Sequence, residues 1–310
     1  MESYNVKITA FANGTYELRH YSTVIGADYI EYQDTEKPDG FYSIPPKKRA
    51  EPEKEYNPFT ERYESLRTVE DWERSLASSL NRTRNEIYRW ARQCRWEWFV
   101  TLTFDGAKTE RESYSACMER TAKWFNNQKQ RHAPELKYLY VPEQHKKGGW
   151  HIHGVMADTG SMLITDSGRV SFHGKACRRN AGNSMCPVIY NLSGWRYGFS
   201  TATEVADAHR VSTYILKYIT KELVADTPYR HRYFRSRNLP KPEEHTYIID
   251  MTEPDAVAEF LRKFEDSTGA ELVHEKSVSG QYTAVDYKYY RVNESETVGK
   301  GEKEDEGNEE

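Results

Sequence analysis

The spacing of apolar positions changes several times along this chain, and each change marks an element. From about Glu61 to Gln93, Leu66, Val69, Trp72, Leu76 and Leu80 recur at three- and four-residue steps, and Ile87, Trp90 and Ala91 follow. That period predicts a long amphipathic helix, with Arg82, Arg84, Arg89 and Arg92 on its polar side. Trp96 to Phe104 is dense in β-branched and aromatic residues and stops at Asp105-Gly106, a turn signal, so it predicts a strand. Within it, Phe99, Thr101 and Thr103 face one way and Val100, Leu102 and Phe104 the other. Glu110 to Arg131 reads as a helix with Met118, Ala122 and Phe125 on one face. Lys137 to Val141 and Trp150 to Ala157 read as strands, the second entered through Gly148-Gly149. Residues 158–197, rich in Gly, Ser, Asn and Arg, read as an insertion or long loop. A strand is expected over Phe199 to Val205 and one continuous helix over Ala208 to Leu223. A strand near Tyr247, a helix from Ala256 to Phe264 and a strand from Gln281 to Val292 complete the pattern.

The order strand, helix, strand, strand, insertion, strand, helix predicts an α+β fold, with a central antiparallel sheet and helices on one face. The expected organisation has four parts. Residues 1–60 form an N-terminal extension and linker, in which Tyr16 to Arg19 is strand-like. Its segment from Gln33 to Asn57 carries Pro38, Pro45, Pro46, Pro52 and many charges. Residues 61–240 form the main domain, and 241–292 a small α/β appendage. Residues 293–310 hold eight acidic and two basic side chains, a composition that predicts disorder. No internal repeat is present.

Composition narrows the function. Only 37% of the 310 residues are hydrophobic. No apolar run approaches the ~20 residues that a membrane span needs. The start of the chain has no apolar core of the secretory type. Four cysteines do not make a disulfide framework, so reduced thiols in a cytoplasm are expected. The net charge of -4 hides a division. Residues 82–237 hold 26 Lys and Arg against 14 Asp and Glu, a net of +12; the flanks supply the opposing -16. A basic middle between acidic flanks points to a polyanion site. Twenty-three tyrosines interleaved with arginines suit base stacking, although tyrosine-rich sheets also occur in ordinary cores.

Two constellations carry candidate chemistry. His151-Ile152-His153 lies on a predicted strand, where residues two apart point the same way. Both imidazoles project together, and the hairpin brings Glu143 from the preceding strand beside them. One carboxylate and two imidazoles suit a divalent ion that also binds substrate oxygens. His145 competes with Glu143 as the third ligand. The plainer alternative is a pair of surface histidines on an edge strand. In the second constellation, Tyr214 and Tyr218 fall on one face of the expected helix, ~6 Å apart in rise, bordered by Lys217 and Lys221. Lysines and a polarised phosphate lower the barrier to attack by a phenol of ordinary pKa ~10. Alternatively, the tyrosines pack a core and the lysines are solvated.

Together these residues carry a resemblance. Phe99-Val100-Thr101-Leu102-Thr103-Phe104, then His151-Ile152-His153, then Tyr214-x-x-Lys217-Tyr218-x-x-Lys221 resemble, in order, the three motifs of rolling-circle replication initiators (Rep) of the HUH endonuclease superfamily. The doubled tyrosine is similar to the branch of phages and related mobile elements. The resemblance covers residues 96–223, with flanking likeness near Arg82 and over Tyr233 to Arg237. It implies an antiparallel core related to the RRM and ferredoxin folds. It implies that His151, His153 and Glu143 bind Mg²⁺ or Mn²⁺, and that Tyr214 attacks the scissile phosphate of single-stranded origin DNA. Lys217 and Lys221 assist, and Tyr218 is the alternate nucleophile. Thr101, Thr103, Arg89, Arg92, Arg235 and Arg237 are the expected DNA contacts. Related chemistry serves conjugation and transposition, and a non-catalytic DNA-binding regulator of the same fold is a rival from another class. The stretch 158–197 departs from a minimal core. Its His173, Cys177 and Cys186 are candidate zinc ligands at irregular spacing without an evident fourth. No Gly-x-x-x-x-Gly-Lys-Ser/Thr occurs, so a separate helicase, with a DNA polymerase, is the expected partner.

Overall fold

The computed structural model describes residues 3–26, 54–57, 62–65, 69–172, 175–227, 230–253, 255–280 and 283–292. The backbone forms two large antiparallel sheets in two separate units, one from the chain's ends and one from its middle. The expected α+β class is therefore found. Among the described residues, no helix is long and apolar enough to cross a membrane.

The chain opens with a hairpin of β1 (Tyr4–Phe11) and β2 (Thr15–Ile25). It then builds the central unit. A short hairpin pairs β3 (Lys54–Asn57) with β4 (Arg62–Ser65), and α1 (Val69–Ala91) follows. The helical period was expected from Glu61, but Arg62 to Ser65 is extended. Leu66 and most of the proline-rich stretch lie outside the described residues. Next come β5 (Trp98–Thr103), α2 (Tyr114–Arg131), β6 (Lys137–Gln144), β7 (Trp150–Ala157), β8 (Ile164–Phe172), β9 (Lys175–Arg178), β10 (Val188–Leu192) and β11 (Ser200–Glu204). α3 (Ala208–Tyr214), a 3₁₀ turn over Ile215–Tyr218, α4 (Lys221–Asp226) and β12 (Phe234–Arg235) complete the unit. The chain returns with β13 (Glu243–Tyr247), α5 (Ala256–Thr268), β14 (Ala270–Ser279) and β15 (Ala284–Val292).

The terminal sheet has the order β13-β1-β2-β15-β14. Ile8 pairs across to His245, and Leu18 to Lys288. Val6, Ile8, Leu18 and Tyr290 are buried with Phe264 of α5. The first 26 residues and residues 243–292 thus share one sheet and one core.

The central sheet has the order β12-β6-β7-β5-β11-β10-β8-β9. Three of its strands arise from residues 158–197, which corrects the expectation of a long loop. These strands are edge-ward and mostly exposed, with Gly168 at φ 70, so their sequence lacks the apolar density of a central strand. Helices cover both faces, not one. Phe125 of α2 stacks on Tyr138 and Tyr140, whereas Tyr218 stacks on Phe99 from the other side. Alternation puts even-numbered β6 residues and Phe99 on opposite faces through the registers Tyr140↔Gly154 and Phe99↔Val155. Val100, Leu102, Ile152, Leu139 and Val155 are fully buried between these layers.

The helix expected over Ala208 to Leu223 is broken. Ile219 is extended at φ -91, ψ 93, and Thr220 caps a new helix by accepting from the Leu223 N–H at 3.2 Å. The Ile219 carbonyl, lost to the helix ladder, accepts two hydrogen bonds from Arg84 of α1, at 2.9 and 3.1 Å. This bidentate contact satisfies a buried acceptor and fixes the turn that carries Tyr218. Arg84→Met is expected to lower stability by about 1–3 kcal/mol, the cost of an unsatisfied buried carbonyl. Urea denaturation checks it, and an unchanged midpoint contradicts the assignment.

Candidate active site

The site lies on the sheet face opposite α2. β5, β6 and β7 are adjacent, and their registers Glu143↔His151, Val141↔His153, Thr101↔His153 and Thr103↔His151 put these side chains on one face. Strand alternation alone brings Glu143, His151 and His153 together.

His153 is the centre. Its Nδ1 lies 3.1 Å from Thr101 Oγ1, and its Nε2 lies 2.9 Å from Glu143 Oε2. The imidazole is held edge-on by both partners, while one flat face meets Tyr218, with ring centroids 3.7 Å apart and planes 7° apart. The bond to His153 holds the Glu143 carboxyl below its ordinary pKa against the opposing effect of burial; the charges of His153, His151 and Lys217 add to it. His151 stands nearly parallel to His153 at a centroid distance of 6.5 Å, and 5.5 Å from His145. Burial lowers the His151 pKa, and its histidine neighbours and Arg111 lower it further.

The donors match the chemistry of a divalent ion: a carboxylate beside an imidazole nitrogen, with the other ring nitrogen braced by a hydroxyl. The pair is bonded to itself, and among the described residues no three His, Cys, Asp or Glu side chains cluster closely enough to form a ready cage. His173 lies outside the described residues. Cys177 and Cys186 are free thiols.

The tyrosines are unlike each other. Along a continuous α-helix, residues four apart share a face. Here the chain tightens to 3₁₀ after Tyr214, and the two rings meet at 81° with centroids 6.0 Å apart. Tyr218 is buried between His153 and Phe99. Tyr214 is 46% exposed and meets Phe99 edge-on at 5.1 Å. Lys217 Nζ sits 3.5 Å above the Tyr214 ring and 4.7 Å from that of Tyr218. Burial pushes the Tyr214 phenol up, but hydrogen bonds from Lys217 and Tyr218, with the lysine's charge, outweigh it and leave the pKa below normal. Burial moves Tyr218 strongly the other way, reinforced by its bond to Tyr214. The exposed phenol is the more acidic of the two, which is the arrangement a nucleophile needs. Lys221 opens α4, and its side chain lies outside the described residues.

The expected DNA contacts fare unevenly. Thr101 braces His153, and Thr103 Oγ1 donates to the Phe199 carbonyl while accepting the Phe199 N–H. Both hydroxyls therefore serve the sheet and the site. Arg92 is fully buried, its guanidinium 5.2 Å from the Tyr88 ring, so it is withdrawn from a phosphate backbone. Arg89 is half-buried on α1. Arg235 lies flat on Trp90 at 3.6 Å, and Arg237 is exposed. Sequence reasoning missed Phe99, the ring beneath both tyrosines; its place two residues before Thr101 already put it on the site face. It also missed the role of Arg84, whose partner is 135 residues away.

Residues 97–223 match a family model of replication-associated proteins, the ORF2 family. The match spans the strands and helices that converge on this site, and it supports a role in replication for a protein of initiator type. No curated protein and no solved structure matches the chain.

Proposed function

We propose that the central unit nicks and rejoins single-stranded DNA through a phosphotyrosine and so starts rolling-circle replication, in the manner of two-tyrosine HUH endonucleases. The observation that carries this reading is the meeting of Tyr214, Lys217, Tyr218, His153 and Glu143 on one sheet face inside the matched stretch. The Tyr214 oxygen bonds to the scissile phosphorus as the phosphorus–O3′ bond breaks. The phenol proton passes to solvent and the departing 3′ oxygen takes one up. The products are a 5′-phosphotyrosine and a free 3′-OH that primes synthesis. Lys217 holds the Tyr214 oxygen toward its ionised form, and the Tyr218 hydroxyl donates to it. Glu143 and His153, with His151 beside them, would hold Mg²⁺ or Mn²⁺. The ion, when bound, offsets charge on the phosphate and leaving oxygens. Tyr218 receives the strand when a replication round closes, after turning away from His153. A separate helicase and polymerase complete the reaction in a cytoplasmic setting.

The test is incubation of the full chain with single-stranded origin DNA and Mn²⁺, followed by a denaturing gel. A protein–DNA band that survives detergent is the expected result. Binding without an adduct would identify the regulator instead.

A further inference from the structure

A second feature of the central unit lies on the opposite sheet face. The rings of Phe234, Tyr140, Phe125 and Tyr138 form a ladder of near-parallel stacks, with centroid distances of 4.9, 5.2 and 4.1 Å in that order. A cavity of 490 Å³ opens beside the ladder, bordered by the half-buried rings of Phe234 and Tyr138 and by Asn126, Lys129 and Arg237. Among the described residues, no carboxylate lines it. Arg237 approaches Tyr138 closely enough to oppose the rise that burial imposes on that phenol. Flat rings at the wall, two cations at the rim and an amide beside them match a nucleotide: a base against the rings, a phosphate against the cations and a polar base edge against Asn126.

We propose that this groove binds a nucleotide of the single strand away from the cut, as a second contact on the face opposite Tyr214. The groove gives Arg237 a DNA contact even though it is remote from the tyrosines' face. The inference rests on the single-stranded DNA reading for its ligand but not on the nicking chemistry. Stacking tolerates any base, so the probe needs no origin sequence.

The test uses the full chain and 20-nucleotide oligo(dT), followed by fluorescence anisotropy at several salt concentrations. Arg237→Glu and Lys129→Glu both change rim side chains, and thermal melting confirms their folding. Each is expected to weaken binding about tenfold and to reduce the salt slope by about one. Phe234→Leu is expected to weaken binding by a similar factor with an unchanged slope. In parallel, oligo(dT) carrying 5-iododeoxyuridine is photocrosslinked and mapped; attachment at Phe234 or Tyr138 supports the proposal. Wild-type affinity in all three variants, or crosslinks confined to the Tyr214 face, overturns it. Equal crosslinking by 5-iododeoxyuridine monophosphate that oligo(dT) fails to displace also overturns it, since the occupant is then a free nucleotide. Failure of the nicking reading would appear separately, as a strand bound in the groove without a covalent adduct.

Discussion

Tyr214→Phe is expected to abolish the first covalent protein–DNA adduct, with a loss of at least about 10³-fold in nicking rate, because no other oxygen occupies its place. Phe keeps the ring against Phe99 and beneath Lys217, so packing survives and DNA binding is retained. Tyr218→Phe has a different expected outcome. It keeps the stack on His153 but removes a donor to the Tyr214 oxygen, so cutting continues, slowed about tenfold, while repeated strand transfer fails. Lys217→Met tests the electrostatics behind this division. Without the ammonium, the Tyr214 pKa rises. Since the phenolate fraction grows as pH rises through that pKa, the pH–rate profile moves to higher pH. A profile that stays in place contradicts the role given to Lys217.

The second large effect concerns the pair at the centre of the site. His153→Ala is expected to reduce nicking by about 10²–10⁴-fold, the scale of a lost metal-ion contribution to charge stabilisation. Glu143→Gln keeps the shape and removes the charge, and is expected to cost about as much. His151→Ala is expected to cost less, because His151 stands apart from the bonded pair. Thr101→Val removes the brace on Nδ1 and is expected to cost about 10–100-fold, with metal affinity falling in step. Metal titration of the nicking rate checks the series. Undiminished activity in EDTA contradicts the metal reading altogether.

How much of this was legible in the sequence depends on how far apart the partners lie. The His-x-His strand was readable because alternation is local and Trp150 to Ala157 carries its own pattern. Glu143 was readable because a hairpin joins β6 to β7. The break after Tyr214 was not. Ala208 to Leu223 has helical spacing throughout, and what ends the helix is Thr220 as a cap together with Arg84 on a distant helix. That break separates the tyrosines into an exposed and a buried ring, where the pattern alone made them equivalent. The strands of residues 158–197 were hidden because edge strands expose both faces and need few apolar residues. The burial of Arg92 was hidden because it lies on the polar side of the helix when judged by residue type alone. The sharing of one sheet by the chain's two ends rests on pairings such as Ile8 with His245, and no local pattern reports a contact at that separation.

Mapping the DNA-linked peptide of the wild-type protein tests the central claim most directly. Trypsin cutting after Arg210, Lys217 and Lys221 places the two tyrosines on different peptides, residues 211–217 and 218–221. After a single round on single-stranded origin DNA with Mn²⁺, mass spectrometry is expected to find the nucleotide adduct on the peptide that contains Tyr214. An adduct found solely on the peptide that contains Tyr218, or no adduct where the strand has been cut, would contradict it.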